Sequence, residues 1–243
     1  MDIIVCDPFG LFMFNERLIE SYIIARKRCL KPEGMLFPNS VDFCCAPFSD
    51  EMLYKEAVKS AETFWNQKQF HGLDLTGLLQ FAIKEKLSQP IIDTYDPKNN
   101  LAQEEAMFLD LKKLELNDVR EISHKFVFTI YRDGIIHGIA FWFKAYFNGC
   151  SKRLTLNSGP GYAITRWYQT RLLISQPLAV LKGQRVHAYL NMEANNLMSY
   201  QIKLKVKIKD IEVCQLISFA LKNYHMTLES RITKEFTQQI NKD

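Results

Sequence analysis

Apolar residues alternate with lysines from Gln201 to Lys209. Ile202, Leu204, Val206 and Ile208 fall on one face, and Lys203, Lys205, Lys207 and Lys209 on the other. A period of two in β-branched and aliphatic residues predicts a strand with one buried and one open face. The lysines read either as a solvated face that resists edge pairing or as a docking surface for acidic partners. Comparable runs predict strands at Ile91–Tyr95, Glu121–Tyr131, Ile135–Phe147, Lys152–Asn157, Trp167–Ser175, Arg185–Asn191 and Glu212–Phe219. Turn residues such as Arg132-Asp133-Gly134 and Lys182-Gly183 separate them. Many short strands at this spacing predict an antiparallel barrel or sandwich.

The first half has a different texture. Ile3-Ile4-Val5 predicts a strand over residues 2–6 that is continuously apolar, and so buried on both faces. Asn15 is placed to cap a helix from about Glu16 to Leu30, with Leu18, Ile19, Tyr22, Ile23 and Cys29 as its apolar stripe. Lys31-Pro32-Glu33-Gly34 ends that helix, and Met35–Phe37 predicts a second short strand before Pro38. These pieces form a βαβ fragment with too few strands for an open α/β domain. Beyond Phe48, one helical stretch runs from Asp50 to Trp65 and another reaches Leu87, around the Gly-punctuated Phe70-His71-Gly72-Leu73-Asp74-Leu75. The pattern predicts an α+β chain. Residues 1–47 are expected to be the tail of an α/β sheet, and 48–243 a β domain with a helical arm at about 52–92.

Composition narrows this further. A chain of 243 residues that is 47% apolar can hold one large or two modest domains. The net charge of +4 does not mark a nucleic-acid binder, so no direct nucleic-acid contact is expected. Cys6, Cys29, Cys44, Cys45, Cys150 and Cys214 show no CxxC spacing, and no secretory signal opens the sequence. Reduced thiols in nucleus and cytoplasm are the expected setting. The most apolar stretch, Gly134 to Phe147, carries His137 and Lys144 and is too short for a membrane span.

Two acids carry the candidate chemistry. The first strand delivers Asp7 at its carboxyl end, and Pro8-Phe9-Gly10 turns the chain back toward Glu16, nine positions on. Ligands of open α/β sheets bind at the carboxyl ends of strands, so such a pair builds a negative pocket mouth. Paired carboxylates can do acid–base work, hold a metal or grip a guanidinium. As plain structure, Glu16 is a favourable first-turn charge and Asp7 a turn residue. His71, His124, His137, His187 and His225 make no HExxH or i, i+4 pair, so no metal site is expected. The ten glycines form neither GxGxxG nor a P-loop. Tyr162 to Arg171 packs aromatics and cations together at a strand start, either to line a pocket or to bury Trp167.

At these residues the chain resembles the protein arginine methyltransferases, most of all the coactivator-associated type I kind that modifies histones. Asp7-Pro8-Phe9-Gly10 through Phe14-Asn15-Glu16-Arg17 resembles the family's two-glutamate hairpin at the same interval. Pro32-Glu33-Gly34-Met35-Leu36-Phe37-Pro38 resembles its strand into the barrel, and Phe64-Trp65 with Phe70 to Leu75 its dimerisation arm. Thr165-Arg166-Trp167-Tyr168-Gln169 resembles its threonine–histidine–tryptophan loop, and Leu221-Lys222-Asn223 the substrate-side end of the barrel.

The resemblance implies the C-terminal part of a Rossmann-like methyltransferase sheet, followed by an antiparallel β-barrel with a helical dimerisation arm. It implies methyl transfer from S-adenosylmethionine to arginine, with Asp7 and Glu16 clamping the guanidinium. Asn15, Arg166, Trp167 and Tyr168 would shape the substrate channel, and Leu18 and Ser21 would touch the donor. Histones and other arginine-containing proteins are the implied substrates. A homodimer, or a heterodimer with a related methyltransferase, is the implied assembly. The chain departs from the family in four places: no glycine-rich donor-binding loop, Asp7 for glutamate, Arg166 for histidine and Leu11 for tyrosine. The expectation is a truncated or divergent methyltransferase, inactive as residues 1–243 alone. The alternatives are a non-catalytic dimerising partner of an active relative, or a barrel that binds arginine-rich peptides without reaction.

Overall fold

A computed structural model describes residues 1–208 and 211–218, with the side chains of 212–218 excepted. A short parallel pair opens the chain: β1 (Ile3–Val5) and β2 (Met35–Phe37), in the register Ile3↔Met35 to Val5↔Phe37. Between them a 3-10 turn (Asn15–Arg17) runs into α1 (Leu18–Cys29), which buries Ile19, Tyr22 and Ile23 on one face. The expected burial of the first strand is corrected. Ile3 is 48% and Val5 71% exposed. A sheet of only two strands leaves one face of β1 uncovered, so an apolar run does not by itself secure burial.

The rest of the chain folds as β3 (Ser40–Phe48), α2 (Glu51–Trp65), α3 (Leu79–Leu87), β4 (Ile91–Asp93), β5 (Glu105–Asp110), α4 (Leu116–Arg120), β6 (Glu121–Thr129), β7 (Gly134–Asn148), β8 (Arg153–Asn157), β9 (Gln169–Val180), β10 (Arg185–Ala194), β11 (Tyr200–Ile208) and β12 (Ile211–Ser218). A six-stranded sheet has the order β4-β9-β7-β3-β5, with β8 pairing along the end of β7. A four-stranded sheet has the order β12-β11-β10-β6. Both are antiparallel throughout. β3 runs across residue 47, where the domain boundary is expected from the sequence. The motif Leu221-Lys222-Asn223 lies outside the described residues.

One core joins the two sheets. Phe43, Phe141 and Phe143 of the large sheet meet Phe126, Phe128, Leu190 and Leu204 of the small one in a single buried cluster. This gives the barrel-like enclosure without one continuous ring of strand pairings among the described residues. The opposite face of the large sheet carries a second cluster, in which Cys44, Ala46, Phe48 and Trp142 pack against Ala57 and Leu87 of the arm.

A buried ionic network anchors the arm. Asp50 caps α2 by accepting the Leu53 N–H on Oδ1 at 3.0 Å, and its Oδ2 lies 3.1 Å from Arg171 Nη1. The Arg171 guanidinium sits against the rings of Phe48 and Tyr95. His137 Nδ1 accepts the Asp50 N–H at 3.2 Å, which requires that nitrogen to be unprotonated. Burial pushes the His137 imidazole below its usual value, against the pull of Glu51 and Asp50. The folded state therefore favours neutral His137, and its contribution is present above the unfolded value near 6.5 and lost as pH falls. The urea midpoint is expected to hold level between about pH 8 and 7 and to drop below about 6.5. His137→Gln, which keeps an acceptor without titrating, should flatten part of that drop. A wild-type midpoint level down to about pH 5.5 contradicts this role.

Candidate functional site

The hairpin after β1 is built around one glycine. Gly10 N–H donates to Met13 O at 3.0 Å and Met13 N–H to Gly10 O at 2.9 Å, closing a two-residue turn. A Cβ on Gly10 would lie 2.3 Å from Asn15 O, so only glycine permits this approach. Asn15 is buried, and its Oδ1 accepts the Phe12 N–H at 2.6 Å. Phe12 and Phe14 drive the turn into the core, each edge-on to Phe43. Met13, Glu16 and Arg17 hold positive φ angles of 55°, 70° and 54°. Non-glycine residues in this region cost on the order of 1 kcal/mol each. Such strain clusters where the backbone is shaped for a task. Here the turn is buried while Asp7 and Glu16 stay exposed.

A fork of hydrogen bonds ties the hairpin to the small sheet. Arg17 Nε and Nη2 donate to Glu20 at 2.6 and 2.8 Å, and Nη1 donates to Asn195 O at 3.1 Å. The i, i+3 spacing of Arg17 and Glu20 at the start of the helix is the local signal for this pair.

Asp7 faces Arg166. Arg166 Nη2 lies 3.2 Å from Asp7 Oδ2, with the side chains 63% and 61% exposed. The guanidinium also lies over the Trp167 ring, 4.7 Å from its centre. Trp167 is itself buried: Nε1 donates to Phe9 O at 3.0 Å and the ring meets Phe143 edge-on. Thr165 Oγ1 accepts the Trp167 N–H at 3.1 Å and donates to Trp167 O at 2.9 Å. The loop therefore clasps the hairpin through Trp167 and delivers Arg166 to Asp7. Beside it opens a pocket of about 150 Å³ lined by Tyr95, Ser158, Tyr162, Thr165, Trp167 and Tyr168. Trp167 thus packs and lines a pocket at once.

The remaining predicted residues stand apart from this contact. Among the described residues Glu16 makes no ion pair. Leu18 and Ser21 are exposed one turn apart on α1. They offer one apolar contact and one hydroxyl, too little to hold an adenosyl group, so these residues do not complete a methyl-donor site. Among the described residues no three metal-ligating side chains cluster, and no helix is long and apolar enough to cross a membrane.

Comparison with known proteins agrees with this architecture. Residues 40–211 match the family model described as the arginine methyltransferase oligomerization subdomain. The chain is 38% identical over 223 residues to the histone-arginine methyltransferase CARMER of Drosophila yakuba, covering 92% of this chain and 42% of that protein. The probable histone-arginine methyltransferase CARMER of Drosophila melanogaster matches with the same identity and coverage. The chain thus spans about two-fifths of the length of these curated relatives. The Trypanosoma brucei PRMT1 enzyme-prozyme heterotetrameric complex with AdoHcy superimposes with a TM-score of 0.78 at 19% identity, over 90% of this chain and 68% of that one. Arabidopsis thaliana protein arginine methyltransferase 10, in an open conformation, gives 0.75 at 20% identity, over 90% and 71%. At those identities the likeness is one of fold. With the large sheet, the arm and three of the four strands of the small sheet inside the matched region, and relatives aligned over nine-tenths of its length, the chain belongs to the protein arginine methyltransferase family.

Proposed function

We propose that this chain is the substrate side of a coactivator-type histone-arginine methyltransferase, in which Asp7 and Glu16 hold the guanidinium of the target arginine. The Asp7–Arg166 pair carries the proposal, since the carboxylate at the foot of the hairpin already accepts a guanidinium. A guanidinium stays protonated in proteins, so its nitrogen must become nucleophilic without losing a proton first. Two carboxylates draw the positive charge toward the nitrogens they hold and leave another nitrogen richer in electrons. Positioning and electrostatics then supply the acceleration. Asn15 fixes the turn that carries Glu16, and Trp167 fixes the loop that carries Arg166. Tyr168 and the adjoining pocket receive the neighbouring substrate residues.

S-adenosylmethionine is the methyl donor in this reading, with Leu18 and Ser21 facing it. The rest of the donor site has to come from outside residues 1–243, which on their own transfer no methyl group. Histones and other arginine-containing proteins in nucleus and cytoplasm are the substrates. The arm exposes Met52, Leu73 and Phe81, an apolar surface for a second copy or a related methyltransferase. The same Asp7–Arg166 pair favours a second reading. A partner subunit without catalysis can keep its guanidinium position filled from within.

Titration calorimetry with an arginine-containing histone-tail peptide tests the clamp. Losing a hydrogen bond to a charged group costs about 1.5–3 kcal/mol, so Glu16→Gln should weaken binding roughly ten- to a hundredfold. An exposed ion pair is worth about 0–1 kcal/mol, so Arg166→Ala should tighten binding by up to about fivefold. Unchanged affinity in Glu16→Gln sinks the clamp. Unchanged affinity in Arg166→Ala removes the internal occupant.

A further inference from the structure

Glu16 stands on strained backbone that its own side chain does not hold. Glu16 and the next residue, Arg17, have φ angles of 70° and 54°. Two successive non-glycine residues in this region are rare, because each brings its Cβ against the following carbonyl. Neither Phe14 at the head of the 3-10 turn nor Arg17 at the head of α1 supplies a side-chain cap. Asn15, placed by the sequence to cap that helix, spends its Oδ1 on the Phe12 N–H instead. The Arg17 side chain holds the segment. Nε and Nη2 donate to Glu20 at 2.6 and 2.8 Å, and Nη1 donates to Asn195 O at 3.1 Å. The Arg17 and Glu20 side chains are only 16% and 12% exposed. Asn195 is itself fixed, its Oδ1 accepting the Leu197 and Ser199 N–H groups at 2.9 and 3.1 Å. Arg120 Nε, at the end of α4, lies 3.6 Å from Glu20 Oε2, so a second cation braces the same carboxylate.

A bidentate guanidinium–carboxylate pair fixes direction as well as distance, and burial shields it from screening by salt. Arg17 follows Glu16 directly, so fixing the guanidinium fixes the backbone that aims the Glu16 carboxylate. The fork has a second effect. Its donors point at Glu20 and the Asn195 carbonyl, so the cation next to Glu16 in sequence does not pair with it. Among the described residues Glu16 has no ion partner, whereas Asp7 already carries Arg166. We propose that Arg17 is a positioning residue for Glu16: its fork to Glu20 and Asn195 O holds the left-handed backbone in place and keeps the Glu16 carboxylate open for an incoming guanidinium. This role rests on the clamp reading and adds to it the part of the hairpin that Asp7, Asn15 and Trp167 do not hold. It brings the small sheet into the site through Asn195, 178 positions away.

A double-mutant cycle on the full chain provides the test, read by titration calorimetry with the arginine-containing histone-tail peptide. Arg17→Lys keeps the charge but loses the fork, and should weaken binding at least about fivefold. In the Glu16→Gln background the same change should cost less than about twofold, because the carboxylate that Arg17 places is gone. The urea midpoint should fall equally in both backgrounds, since the fork does not touch the Glu16 side chain. Glu20→Gln breaks the fork from its other end. It should weaken binding in the same direction, and serves as the readout if Arg17→Lys fails to fold. The proposal is overturned if folded Arg17→Lys and Glu20→Gln proteins bind as well as wild type. It is also overturned if the loss is the same with and without the Glu16 carboxylate, which marks a fork that is structural only. Failure of the clamp itself has a different signature: Glu16→Gln alone binds as tightly as wild type, and the positioning role falls with it.

Discussion

Asp50→Ala should destabilise the chain by about 3–5 kcal/mol, the cost of breaking a buried ion pair from one side. The Arg171 side chain is only 5% exposed, and Asp50 is the carboxylate with which it makes its ion pair. Arg171 Nε already lacks a hydrogen-bond partner, and Asp93, beyond ion-pair distance on the neighbouring strand, is left to offset the stranded charge. The cap on α2 goes with Asp50, which adds about 1 kcal/mol. Arg171→Met removes the charge together with its partner's purpose and fills the space between Phe48 and Tyr95, so its cost should be smaller. Adding Arg171→Met to Asp50→Ala should recover much of the loss, because a buried pair can be replaced by apolar packing at little net cost. Urea unfolding of the four members of this cycle measures the coupling. A loss below about 1 kcal/mol in Asp50→Ala would show that the network does not anchor the arm.

Trp167→Ala should cost about 3–5 kcal/mol, as expected for truncating a buried aromatic side chain. The change removes the contact with Phe143 and the Nε1 hydrogen bond to Phe9 O, the buried link between the loop and the hairpin beside the exposed Arg166–Asp7 pair. Trp167→Phe separates the two losses. It keeps a ring against Phe143 but leaves the Phe9 carbonyl without its donor, at about 1–3 kcal/mol. The smaller variant should remain folded yet bind the arginine peptide less well, because Asp7 lies two residues before Phe9. Thermal melts and peptide titration on both variants check this. A Trp167→Ala protein as stable as wild type would mean that the loop does not clasp the hairpin.

Strands β6, β10 and β11 were legible because alternation is local: Ile202, Leu204 and Val206 point inward and their lysine neighbours outward whatever else the chain does. β3 gave no such signal, because both of its faces are covered. Val41, Phe43 and Cys45 enter the core between the sheets, while Cys44, Ala46 and Phe48 enter the one beneath the arm. A strand buried on both sides loses the period that would reveal it. β1 failed in the opposite sense, since its apolar run promised burial that a two-stranded sheet cannot supply.

The hairpin was legible in outline and not in its workings. Asp7, Gly10, Asn15 and Glu16 are local in sequence, and a turn between two acids follows from residue types and spacing alone. What holds that turn comes from far away. Trp167 reaches Phe9 across 158 positions, and Arg171 reaches Asp50 across 121. By itself the sequence determined the strand pattern, the arm helices and the family to which the two acids point, because periodicity, turn chemistry and motif spacing are properties of neighbouring residues. Only the tertiary structure decided that Arg166 rests on Asp7, that Asn15 serves the turn, and that Arg171 holds Asp50. Those facts depend on sheet register and loop closure, which bring together residues that no local pattern connects.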